Sequence, residues 1–243
     1  MVPSIAVAVG KVLSTKDPDG LGRVQVQLMA YNSTVSVWLR MTMPYASAAA
    51  GFVFLPEVDD EVLVLRGAGD NVDGMFVIGA LYNGAHTPVY TNPDGENITK
   101  QIQTRAGNHV VFTDKDGEEA IEIKTKAGNI ITMTDKVGTN GFAINNADGT
   151  IQIKLDTNGA DVTVANGKNA TVTVQGDTTV NGTGNVTVKS GMNVNVEAGI
   201  NLTCKGAANA TLEAGAQLTV KGGAQVSVEA PMVKVEGGLV TIN

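Results

Sequence analysis

Apolar and polar residues alternate along most of this chain in the two-residue rhythm of β-strands. Before residue 92 the alternation is clearest at 5–9, 24–28, 35–39, 62–65 and 75–78. Turn signals fall between these runs: Asp17-Pro18-Asp19-Gly20, Gly67-Ala68-Gly69-Asp70 and Asp73-Gly74. No stretch keeps a helical period. Five short strands in so small a span predict a small closed barrel, for which an OB fold is one solution. Residues 92–160 continue with strands and glycine-marked turns, through 105–117 and 119–133.

From residue 178 a stricter register takes over. Mostly apolar pairs in an x-polar-x arrangement recur every eight residues: Thr178/Val180, Val186/Val188, Val194/Val196, Leu202/Cys204, Ala210/Leu212, Leu218/Val220 and Val226/Val228. After Pro231 the spacing tightens to seven, giving Val233/Val235 and Val240/Ile242. Such periodicity marks a solenoid or stacked array. In each octad the pair faces inward, the residue between faces outward, and glycine permits the turn. Two small side chains cannot dehydrate themselves, so neighbouring coils or other chains must cover them. Eight extended residues span about 26 Å, too little for a turn-containing coil to close around a core. Either three octads of one chain make a coil, or three chains each supply one side. One chain would gain only about three coils, a marginal stack. Three chains would build about nine rungs per face, and the trimer is the favoured reading.

A second pattern rides on the first. The residue after each inward pair alternates in sign: Lys189, Glu197, Lys205, Glu213, Lys221, Glu229. Stacked rungs would set opposite charges side by side. An exposed pair is worth about 0–1 kcal/mol, so its expected value is control of register.

Composition sharpens the division. All four Arg, the only Trp, all four Tyr and four of the five Phe lie before residue 113. After Phe142 there is no aromatic, His or Arg. Ordinary cores rely on large side chains, so the C-terminal part is expected to form something thin. The net charge of −7 and the lack of a basic stripe argue against a nucleic-acid partner. A single cysteine, Cys204, cannot form an intrachain disulfide and fits a reducing compartment. Its inward position predicts a small buried hydrophobe. The N-terminal run is short and lacks a basic region, so no signal peptide is expected and assembly is expected in the cytoplasm.

Catalytic or metal chemistry finds little support. Glu57, Asp59, Asp60 and Glu61 are acidic neighbours, but adjacent carboxylates on a strand point to opposite faces and make a poor cation cage. His86 and His109 stand apart from any catalytic arrangement and are expected at a surface or interface. The chain is therefore read as non-enzymatic and without a cofactor.

Four ordered blocks carry a family resemblance. Asp17-Pro18-Asp19-Gly20-Leu21-Gly22-Arg23-Val24-Gln25-Val26 resembles the opening of phage baseplate assembly protein V and of the VgrG spike family. So do Trp38-Leu39-Arg40 with Pro44-Tyr45-Ala46, the run from Gly51-Phe52-Val53-Phe54 to Val62-Leu63-Val64, and Gly79-Ala80-Leu81-Tyr82-Asn83-Gly84. The resemblance implies a trimer-forming OB domain beneath a baseplate hub. The expected fold is thus all-β: an OB-fold barrel over 1–91, a linker over 92–104, a transitional β segment over 105–177 and an intertwined trimeric β-helix over 178–243. Its inward positions are Val186, Val188, Val194, Val196, Leu202, Cys204, Leu212, Leu218, Val220, Val226, Val228, Val233 and Val235.

The expected function is a structural homotrimeric spike of a contractile injection system that pierces a target envelope as part of a phage-tail-like particle. Hub-like domains do not precede the barrel, so a separate hub protein is expected. A PAAR-type tip protein is expected at Val240, Thr241, Ile242 and Asn243, where a last rung would expose apolar surface and unpaired backbone. A solenoid fibre, adhesin or OB-type binding module is the alternative.

Overall fold

The computed structural model describes residues 6–29, 34–67 and 74–242. Ile5, Ala68-Gly69-Asp70, Asp73 and Asn243, which enter the readings above, lie outside the described residues. The chain divides into two compact units, Met1–Thr173 and Val174–Asn243.

Five strands of the first unit close a barrel: β1 (Ala6–Ser14), β2 (Val24–Leu28), β3 (Thr34–Met41), β6 (Glu61–Arg66) and β7 (Met75–Leu81). Two short strands, β4 (Ala46–Ser47) and β5 (Ala50–Gly51), make a hairpin between β3 and β6. The barrel order is β1-β2-β3-β7-β6, with β3–β7 parallel and the other pairs antiparallel. This is the five-stranded Greek-key closure of an OB fold. β1 runs on to Ser14, beyond the alternation that marks its start. It can do so because residues 6–11 pair with β6 while residues 10–14 pair with β2.

Alternation decides what fills the barrel. Val12, Val24, Val26, Leu39, Val62, Val64 and Val77 are fully buried, while their strand neighbours face outward. Gly10 shares that inner row and pairs with Leu28. A Cβ there would fall 2.2 Å from Val26 Cγ1, so only glycine lets β1 approach β2 this closely. Opposite Val26 the partner strand β3 carries one residue too many. The buried Ser36 hydroxyl accepts the Val26 N–H at 2.8 Å and so replaces the missing ladder acceptor.

The turn between β1 and β2 is closed by one carboxylate. Asp17 accepts the backbone N–H groups of Asp19, Leu21 and Arg23 at 3.0–3.2 Å. It also takes both arms of the Arg23 fork, at 3.0 and 2.7 Å, and Asp19 pairs with the same guanidinium. Gly20 and Gly22 hold positive φ inside the turn. The Asp17 side chain is only 3% exposed, and the Arg23 guanidinium keeps its carboxyl far below the usual range.

Beyond the barrel the unit continues as a seven-stranded antiparallel meander: β8 (Thr99–Gln103), β9 (His109–Thr113), β10 (Ala120–Lys124), β11 (Ile130–Thr134), β12 (Gly141–Asn145), β13 (Ile151–Asp156) and β14 (Asp161–Asn166). β8 falls inside the stretch 92–104 expected as a linker. Its single apolar residue, Ile102, gives no alternation to read, and pairing with β9 makes it an edge strand. Two of the turns repeat one design, Thr104-Arg-Ala-Gly-Asn108 and Thr125-Lys-Ala-Gly-Asn129. In each, the Thr oxygens cap the turn and Gly107 or Gly128 takes positive φ. Gly141, which opens β12, has no room for a side chain: a Cβ would lie 2.0 Å from the Leu155 carbonyl oxygen.

Two consequences can be measured on the full chain. Gly10→Ala is expected to lower barrel stability by about 1–3 kcal/mol through overpacking, whereas Gly79→Ala, which meets nothing within 4 Å, should change it far less. Urea unfolding followed by the fluorescence of Trp38, the only tryptophan, reads both. The Asp17 clasp makes stability pH-dependent. Its folded pKa lies below the unfolded value of about 3.9, so its contribution is complete above that value and drains away as pH falls below about 4. Asp17→Asn should lower the melting temperature at neutral pH and flatten the acid slope, and an unchanged slope would show that other carboxylates set it.

Candidate interchain surfaces

The acidic run of the barrel finds partners within the first unit. Glu57 pairs with Arg105 at 2.9 Å, Asp59 with Lys11 at 2.7 Å and Asp60 with His86 at 3.2 Å. The Glu57 N–H also donates to Asp60, and Lys11 beside Asp59 holds its carboxyl below the usual range. Glu61 sits on β6, paired with Lys11 across the ladder. Among the described residues, no group of three or more His, Cys, Asp or Glu side chains is placed to hold a metal ion. His109 Nε2 lies 3.1 Å from Glu122 on the meander. Each histidine thus sits beside a carboxylate.

The meander divides its side chains by face. Ladder register places Phe112, Ile121, Met133, Phe142, Leu155 and Val162 in one row across six strands. A second row, two residues away on the same face, runs Ile102, Val110, Ile123, Ile131, Ile144, Ile153 and Val164 across all seven. The opposite face carries Gln101, Glu122, Thr132, Lys154 and Thr163, with His109. Several apolar residues keep about half or more of their surface open to water: Phe142 49%, Ile151 51%, Val162 70%. A single sheet needs a second layer on its apolar face. Within this chain each meander strand packs mainly on its own neighbours.

The repeat unit poses the same problem more sharply. From 174 to 242 no described residue joins a strand, no backbone hydrogen bond links that segment to itself, and every residue is exposed. The chain bends at 175–176, 183–184, 191–192, 199–200, 207–208, 215–216 and 223–224, then at 231 and 238. The bends keep the period of eight and then seven read from the sequence, and a bend at 167–168 extends the period upstream of 178. Octads do not coil on one another within the chain.

The expected inward residues stand in this segment with their apolar surface open. Val186, Val194, Leu202, Leu218 and Val226 are 52–61% exposed, and Val188, Val196, Leu212, Val220 and Val228 are 64–77% exposed. Val233 and Val235 follow the same order at 52% and 69%, and Cys204 is exposed too. Their burial, as expected from the alternation, is therefore not met inside one chain. A third apolar column was not read from the pairs alone. Two residues before Val194, Leu202, Ala210, Leu218 and Val226, at the first position of each octad, stand Met192, Ile200, Ala208, Ala216 and Ala224, whereas the first octad has Gly184 there. Ile200 is 91% exposed and Met192 90%. From Met192 to Val228, apolar residues thus stand at three alternating positions in each octad, the first of them two residues upstream of the pair.

Comparison with known proteins agrees with the barrel. Residues 8–82 match the family model described as the type VI secretion system/phage-baseplate injector OB domain. The barrel these residues form is an OB fold, similar to that domain. Two curated proteins of Vibrio cholerae serotype O1 are similar to this chain: the actin cross-linking toxin VgrG1 and the type VI secretion system spike protein VgrG3. Each is 30% identical over 128 residues, which covers 49% of this chain and 12% of the relative. The chain therefore spans about an eighth of the length of these relatives.

Proposed function

We propose that the chain is a structural subunit of the central spike of a contractile injection system, assembled from three copies. The carrying observation is shared by both units. An apolar face of the meander and three apolar columns of the octads lie open in a single chain, and the octad backbone has no partner of its own. Three copies answer both needs: octads of different chains pair as neighbouring rungs, and the apolar columns close around a common axis. Moving one Val or Leu from water to a core contributes about 1.5–3 kcal/mol, so several columns outweigh any number of rim charges. A stack sharing its backbone bonds between chains has few ways to bend, which suits driving through an envelope.

Two partners complete the reading. The barrel exposes Leu21, Tyr45, Phe52, Val53 and Phe54 around the β4–β5 hairpin, beside a cavity of about 250 Å³, and this surface suits a baseplate hub protein. A PAAR-type tip protein is proposed on Val240, Thr241 and Ile242, whose two apolar members are 49% and 90% exposed. Assembly in the cytoplasm into a phage-tail-like particle belongs to the same proposal.

Native mass spectrometry of the full chain tests it, with three times the chain mass expected. Ile131→Asp, on the apolar face of β11, should shift the population toward monomer at least about tenfold by burying an unpaired carboxylate. Thr163→Asp, on the polar face beside Lys154, should leave the assembly mass unchanged. A monomeric wild-type chain would overturn the proposal.

A further inference from the structure

The outward face of the octads carries three columns, and only one of them distinguishes one octad from the next. Second positions are all amides: Asn185, Asn193, Asn201, Asn209, Gln217 and Gln225. Fourth positions are nearly uniform: Thr187, Asn195, Thr203, Thr211, Thr219 and Ser227. Amide and hydroxyl columns of this kind can bond equally well to any octad placed beside them. The apolar columns vary in size, from Met192 and Ile200 to Ala208, Ala216 and Ala224, but none of them alternates from one octad to the next. The sixth position alone alternates, through Lys189, Glu197, Lys205, Glu213, Lys221 and Glu229.

The backbone of this segment bonds to nothing in its own chain, so the strand beside any octad must come from another copy. When copies wind together with one octad per side, each bend carries a chain onto the next side. There it lies beside the preceding octad of a different copy. Neighbours therefore differ by one octad, and Lys meets Glu at every rung.

We propose that these sixth-position charges act as a phase code between copies, admitting a chain whose alternation is in step and rejecting one shifted by a single octad. The code rests on the multichain reading above and adds partner selectivity to it. The apolar columns hold the copies together, and the charges decide which copies and which phase. Near the end the code is closed off. Glu236 follows Glu229 with the same sign, and Lys234, now in the place of the uniform Thr column, pairs with Glu236.

A mixing experiment on full-length chains tests the code. One variant inverts all six charges (K189E, E197K, K205E, E213K, K221E, E229K), keeping the alternation but reversing its phase. Another replaces all six by Gln. Each is co-expressed with wild-type chain carrying a different tag, and native mass spectrometry counts homotrimers and mixed trimers at low salt. The inverted chain should assemble with itself as well as wild type does. Mixed trimers of the two should be depleted at least about tenfold relative to random mixing, because two of every three neighbouring octad pairs would oppose like charges. At about 1 M salt, where the screening length falls to about 3 Å, the depletion should relax. The Gln chain should mix at random with wild type. Random mixing of wild type with the inverted chain overturns the code and leaves the three-copy spike standing. An inverted chain that fails to assemble alone, while the Gln chain succeeds, also overturns it. Wild-type chains that remain monomeric overturn the code and the spike together.

Discussion

Backbone amides and apolar side chains both need partners, and only the barrel supplies them from within the chain. There, five strands close on themselves, and a row of valines with Leu39 fills the inside to full burial. A closed barrel has no edge to satisfy. The meander meets half of the requirement, since its ladders pair but its apolar face has no second layer. In the octads neither half is met, and that shortfall sets the terms for everything the chain does. Going along the sequence, each part leaves more of its surface to be completed by another molecule.

The same gradient accounts for composition. A single-chain core needs bulky residues or a dense set of valines, and the barrel has them. The octads carry Val, Leu, Ile, Met, Ala and one Cys on their apolar side, with no aromatic after Phe142. In the proposed three-copy assembly, aliphatic side chains of this kind would share the space around a common axis. Charge follows the same logic. In the first unit Lys11 and Arg105 form ion pairs with Asp59 and Glu57, and His86 lies beside Asp60. The octad charges have no such partners along their own chain until Lys234 and Glu236.

How much was legible in advance follows from whether a residue's partner is local. The five barrel strands could be read because alternation at 24–28 or 62–65 reports burial directly, and the Asp17–Gly22 turn announces itself by residue type. β8 could not, because Thr99–Gln103 is an edge strand with one apolar residue, held by β9 rather than by its own pattern. Nor could the neutralisation of Glu57 by Arg105, since the two meet only through the fold. The first-position column was present in the sequence, yet alanines at 208, 216 and 224 hide it from a search for pairs of large apolar residues.

The octads reverse the usual relation between sequence and structure. Their period is the plainest signal in the chain, and it survives as bends at the predicted spacing, but it specifies no intrachain contact. Closely similar repeats account for this. Where octads offer nearly the same apolar, amide and hydroxyl columns, their possible pairings differ little in energy, and the register is close to degenerate. A degenerate register is tolerable only if something non-repeating breaks it. Upstream, the meander supplies such an anchor, because Phe112, Phe142 and Gly141 occur once each in its ladder and cannot be exchanged by a slip. Within the octads the alternating charge is the one column with a longer period. Weak pairs of about 0–1 kcal/mol each would be poor cement, yet they suffice to choose between arrangements that are otherwise nearly equal in energy.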